Sequence, residues 1–156
     1  MESENQQAWN LASEVELVYK SKVKASCRPE IKSVRDAYEF LLAHWDENVI
    51  ELQEKSAAIL MNAAKRVMGL YWMSTGGLTG TIVDPRLLFT AALKANATAI
   101  ILAHNHPSGS CVPSEQDKTL TVKIASAGKL LDIKLLDHII VTKEGFYSFA
   151  DDALIP

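Results

Sequence analysis

Cysteine is scarce in this chain of 156 residues: there are two, Cys27 and Cys111, far apart in sequence. So few give no disulfide framework, and a reducing cytoplasm is the default expectation. Long hydrophobic runs are missing too. None approaches the roughly 20 apolar residues needed to cross a bilayer, so no membrane role is expected. The opening "MESENQQAWN" is polar and acidic, unlike a secretory signal. Excess positive charge is also lacking, with 16 Lys and Arg against 19 Asp and Glu and a net charge of −3. That disfavours a broad phosphate-binding footprint while leaving room for a local basic patch.

What is present reads as one globular α/β domain. Hydrophobic residues make up 48% and charged residues 22%, ordinary values for a folded domain with a real core. Residues 1–30 read as a tail or arm and a linker, and 31–156 as the domain. In the arm, Val15, Leu17 and Tyr19 alternate with polar residues as in a half-buried strand. This arm is in a position to reach a second copy, so a homodimer is kept in view. Ser33 and Asp36 form a capping box that opens a helix through about Trp45, with Ala37, Phe40, Leu41 and His44 on one stripe. Residues 54–62 and 67–74 read as a hairpin around "AAKR". "TGGLTGT" is a plain connection, lacking the Lys-Ser/Thr ending of a phosphate loop.

Asp84 and Pro85 start a second helix, with Leu88, Phe89, Ala92 and Leu93 turned inward. "TAIILA" is apolar on both faces, as a central strand should be. A helix from Ser114 to about Leu131 follows, then the strand "IKLLDHIIVT" and a short strand near Tyr147 and Ser148. The expected architecture is a single mixed or largely antiparallel sheet packed by helices.

The chemistry concentrates in "AHNHPSGSCVPSEQD", residues 103–117. Strand side chains alternate, so His104 and His106 point the same way if the backbone stays extended, which Pro107 favours. Asp117 falls on the helical stripe of Leu120, Ile124 and Leu131, aimed at the sheet. A buried carboxylate needs a partner or a metal. Two His and one Asp suit one Zn2+ with a coordination position left for water. Asp117 can instead be read as the acidic end of a capping box with Ser114, and His104 as a hydrogen-bonded core residue. Glu54 opens a strand, and periodicity alone does not place it at the metal. Cys111 reads as a loop residue and His138 as a satisfied core histidine with second-tier support of the metal as the alternative. His44 reads as a helix-face residue, Arg86, Lys94 and Lys118 as solvated, and Trp9, Trp45 and Trp72 as core or interface.

His104, His106, Pro107, Ser114 and Asp117 reproduce the JAMM signature, and the wider run "DPRLLFTAALKANATAIILAHNHPSG" with "LLDHIIV" resembles the RadC family of JAB1/MPN-domain proteins, most closely those of Bacteroides-type bacteria. The resemblance implies a JAB1/MPN fold, laid out like the cytidine deaminases, with a catalytic type of zinc. It maps a glutamate onto Glu54 and an oxyanion-supporting serine onto Ser114. It departs from the family at Ser56, where an aromatic is usual, at Asp84-Pro85, where His-Pro is usual, and at Ser110-Cys111. The implied activity is hydrolysis of a peptide or isopeptide amide, with a peptide or protein conjugate as substrate. Glu54 moves the proton and Ser114 supports the oxyanion. The leader is too short for the helix-hairpin-helix region of many family members. A DNA-repair or mobile-element role, with a metal but no proteolysis, is the alternative function. A scaffold with purely structural zinc is a third reading. The contiguous "HNH" does not match a His-Asn-His nuclease, whose motif residues lie far apart.

Overall fold

Residues 17–77 and 82–156 are described by the computed structural model. Five strands build one sheet: β1 (Lys55–Met61), β2 (Val67–Thr75), β3 (Ala99–Asn105), β4 (Lys134–Val141) and β5 (Phe146–Ser148). Their order is β2-β1-β3-β4-β5. Only the β3–β4 pair is parallel, which makes the sheet mixed. Among the described residues three α-helices accompany it: α1 (Val34–His44), α2 (Pro85–Lys94) and α3 (Glu115–Leu130). The α/β expectation of one mixed sheet flanked by helices therefore holds.

Alternation along the central strands sorts the core into two layers. Ala57, Ile59 and Met61 of β1, with Ala99, Ile101 and Ala103 of β3, pack beneath α1 on Tyr38, Leu41 and Trp45. Ala58 and Leu60, with Ile100 and Leu102, face α2 and α3, meeting Leu88, Phe89, Ala92, Ile124 and Ala125. Every residue of β3 is buried, because helices cover both its faces. Two central strands with apolar residues on both faces thus anchor the whole domain.

Local chemistry accounts for the turns and helix starts. Asn62 Oδ1 accepts from the amides of Ala64 and Arg66, and Lys65 sits at φ 58°, so the hairpin closes where "AAKR" indicated. Ser33 with Asp36, and Ser114 with Asp117, form reciprocal capping boxes; Asp84 caps α2 ahead of Pro85.

Several expectations are corrected. Leu17 and Tyr19 lie on irregular backbone and are exposed at 95% and 51%, so they form no half-buried strand. Val15 and Trp9 lie outside the described residues, as do 78–81 of the glycine-rich loop. His44 is exposed rather than inward; its Nδ1 donates to the Phe40 carbonyl at the end of α1. Leu93 and Leu131 are also exposed, since the buried faces are formed by Leu88, Phe89 and Ala92 in α2 and by Thr121, Ile124, Ala125 and Gly128 in α3. The linker is pinned: Arg28 donates to the carbonyls of Val67 and Met68 at the start of β2. Among the described residues no helix is long and apolar enough to cross a membrane.

Gly128 tests the α3–β4 junction. A Cβ there would collide with the Ile133 carbonyl and meet the Phe89 ring at 3.6 Å. Alanine gains about 1 kcal/mol of helix propensity over glycine. A backbone collision costs roughly 1–3 kcal/mol. Gly128→Ala should therefore lower the urea midpoint; an unchanged or raised midpoint would refute the close approach.

Candidate metal centre

The site is assembled where β3 ends. Its ladder continues one residue past the strand, because the His106 amide donates to the Val141 carbonyl at 3.3 Å. Extended backbone from His104 to His106 keeps their side chains on one face, the face that α3 covers. Pro107 and Gly109 then reverse the chain: the Gly109 amide donates to the His106 carbonyl, with Gly109 at φ 78°. This reversal brings the Ser110 carbonyl 2.8 Å from His106 Nδ1.

The capping and ligand readings of Asp117 turn out to be compatible. Asp117 Oδ2 accepts from the Ser114 amide at 2.8 Å, and Ser114 Oγ accepts from the Asp117 amide at 3.1 Å. The other oxygen, Oδ1, lies 3.2 Å from His104 Nε2, while Oδ2 lies 3.6 Å from His106 Nε2. The two Nε2 atoms are 3.0 Å apart. One ligand atom from each of His104, His106 and Asp117 thus falls within 4.8 Å of the others, a group that could bind a metal ion.

The surrounding bonds show that these residues fit a cation. A carbonyl only accepts, so His106 Nδ1 donates to Ser110 and a neutral His106 presents a lone pair at Nε2. His104 Nδ1 is engaged with His138 Nε2 at 2.8 Å, leaving Nε2 as its only free nitrogen. A proton or a cation must separate the converging electron pairs. With protons, the rings hydrogen-bond the carboxylate. Burial pushes the Asp117 carboxyl up, yet His104 and His106 outweigh it and hold the group far below the usual carboxylate range. The Asp117 contact in turn raises His106, against an opposing effect of burial.

Glu54 lines the same cleft as His104, His106, Ser114 and Asp117. Burial raises its carboxyl, while the two histidines pull it down and Asp117 pushes it up. Its main chain is held on one side by Gly76 and Gly77, in a pair of bonds extending the hairpin. On the other side stands Asn105, to which sequence reasoning assigned no role. Fully buried, it accepts from the Lys55 amide at 2.7 Å and donates to the Gln53 and Ile50 carbonyls at 3.0 and 2.6 Å. Asn105 therefore grips the peptides on both sides of Glu54. The signal was available in alternation, since the residue between two inward-facing histidines must face the opposite layer. Ser114 remains the N-cap of α3, with its oxygen occupied by the Asp117 amide. Cys111 sits 3.8 Å from the Thr142 hydroxyl, apart from the His–His–Asp group. His138 is fully buried, and burial, with the nearby His104 adding to it, drives it well below the usual histidine range, so it is neutral.

Comparison with known proteins agrees with this geometry. Residues 31–154 match the family model of the RadC-like JAB domain. A UPF0758 protein of Flavobacterium johnsoniae is 46% identical over 101 residues, 65% of this chain and 44% of that protein. One of Porphyromonas gingivalis is 42% identical over 104 residues, 66% and 46% of the two chains. UPF0758 protein STH371 of Symbiobacterium thermophilum is 37% identical over 128 residues, 82% and 53%. The chain spans about half the length of these curated relatives.

Two measurements probe the site. Asn105→Ala strands one amide and two carbonyls in the interior and should cost roughly 3 kcal/mol. Asn105→Asp, which sets a carboxylate against two carbonyls, should cost at least as much by denaturant titration. Metal affinity should fall as pH drops below about 7, because the raised His106 holds its proton to higher pH and must release it. A pH-independent affinity between pH 5 and about 8 would argue against histidine ligation.

Proposed function

Because the chain belongs to the family of RadC-like JAB domains, we propose that it is a zinc-dependent hydrolase of peptide or isopeptide amides. The observation that carries this reading is the meeting of His104, His106 and Asp117 in one cleft with Glu54. Two imidazoles and one carboxylate match the donor set of catalytic zinc rather than that of calcium or magnesium, which prefer oxygen alone. Zn2+ held there would polarise a carbonyl and acidify a water.

The protein's own residues perform the remaining steps. Glu54, with its carboxyl raised by burial, takes a proton from the attacking water and returns it to the leaving nitrogen. The Asn105 grip and the Gly76–Gly77 pairing hold it for that transfer. Ser114, whose oxygen accepts from the Asp117 amide, has its own O–H free to donate to the developing oxyanion. The cleft measures about 580 Å³ and carries Ile82, Val83 and Leu120 beside the polar group, which suits an apolar side chain next to the scissile bond. The free thiols of Cys27 and Cys111 support a reducing compartment such as the cytoplasm.

The zinc-loaded chain should cleave members of a peptide library or an isopeptide-linked conjugate. Glu54→Gln should retain its zinc by elemental analysis while turnover falls about 10²- to 10⁴-fold. Undiminished turnover would remove Glu54 from the reaction. Duplex binding that weakens linearly with log salt, without amide cleavage, would favour a nucleic-acid role instead.

A further inference from the structure

His138 reaches the metal-facing layer through an irregularity in β4. Ile100 pairs with Leu135 but Ile101 pairs with Asp137, so Leu136 is an extra residue. Leu135 packs in the layer under α2 and α3, and Leu136 packs in the layer under α1. Strict alternation from Leu135 would have sent His138 to the α1 side; the bulge returns it to the side of His104. Phe149 stacks on the His138 ring, with centroids 4.6 Å apart and planes at 15°.

Three contacts then run in series. His104 Nδ1 lies 2.8 Å from His138 Nε2, His138 Nδ1 lies 2.6 Å from Thr121 Oγ1, and Thr121 Oγ1 donates to the Asp117 main-chain carbonyl at 2.7 Å. The direction follows from the last one. Threonine has a single hydroxyl proton, and the carbonyl can only accept it. Thr121 Oγ1 must then accept from His138, which carries its proton on Nδ1. His138 Nε2 is left bare and accepts from His104 Nδ1. The lone pair of His104 is thereby set on Nε2, toward His106 and Asp117.

We infer that His138 and Thr121 are positioning residues for the metal. They commit His104 to the ligating tautomer and tie β3 to the turn of α3 that bears Asp117. This rests on the metal reading above, but the hydrogen-bond directions can be measured without a metal.

The experiment has two arms on the full chain. Long-range ¹H–¹⁵N correlation should find His138 in the Nδ1–H form in both metal-free and Zn2+-loaded protein, and His104 in the same form when loaded. Chelator competition with Zn2+ should show Thr121→Val binding about 10- to 100-fold more weakly, with Thr121→Ser close to wild type. His138 in the Nε2–H form overturns the inference, as does tight zinc binding by Thr121→Val. Should wild type bind no zinc, the metal reading fails by itself, and the metal-free His138 tautomer decides the hydrogen-bond line. The same spectrum decides it if Thr121→Val does not fold.

Discussion

Three electron-pair donors brought together in a half-buried space are the constraint around which this domain is arranged. Two imidazole nitrogens 3.0 Å apart, with a carboxylate oxygen 3.2 Å from one of them, cannot all be bare. Every other polar atom of the set is already committed. His106 Nδ1 faces Ser110, His104 Nδ1 faces His138, and Asp117 Oδ2 takes the Ser114 amide. The remaining valence of each group points inward, so a proton or a cation must sit among them. Preorganisation of this kind lowers the cost of gathering ligands, because the fold has already met it.

Strand parity lets one short run serve both sides of the sheet. His104 and His106 turn toward α3, while Asn105 turns toward the α1 layer and grips the segment that delivers Glu54. Each such bond is worth only about 1 kcal/mol net, but an unpartnered buried amide or carbonyl costs about 1–3 kcal/mol. The grip is therefore decided by what its loss would leave unsatisfied. Displacement of β3 by one residue would exchange the histidines with Asn105 and remove both the imidazole pair and the grip at once.

Much of this was legible in the sequence because it rests on local rules. The doubly apolar "TAIILA" became the central strand, both Ser-x-x-Asp boxes cap helices, and the "AAKR" hairpin closes through Asn62. His104, His106 and Asp117 could be singled out because parity, proline and a helical stripe all converge on them. What escaped depends on registry between distant segments. No residue type in "IKLLDHIIVT" announces the bulge at Leu136, so the face of His138 could not be read from alternation. Thr121 meets His138 across 17 positions, and Asn105 meets its partners across 50 or more. Leu93 escaped for a different reason: Leu88, Phe89 and Ala92 fill the buried face of α2, and Leu93 lies on the side turned away from it.

The molecule contains its own control for the capping reading of Asp117. The Ser-x-x-Asp box occurs twice, opening α1 at Ser33 and α3 at Ser114. In α1, Asp36 Oδ2 takes the amides of Lys32 and Ser33, both at 2.9 Å, and the Lys32 amide leads the lowering of its carboxyl, followed by the Ser33 side chain. In α3 the corresponding oxygen takes the Ser114 amide, but Oδ1 lies against His104. Capping needs one oxygen and is complete in both helices without the second. The two boxes differ in what stands opposite: α3 begins beside the end of β3, and α1 does not. Burial opposes ionisation of Asp117, yet the histidine contacts prevail over it. The local motif thus explains why an aspartate stands at this position of a helix, and only the neighbouring strand explains why its second oxygen faces a pair of imidazoles.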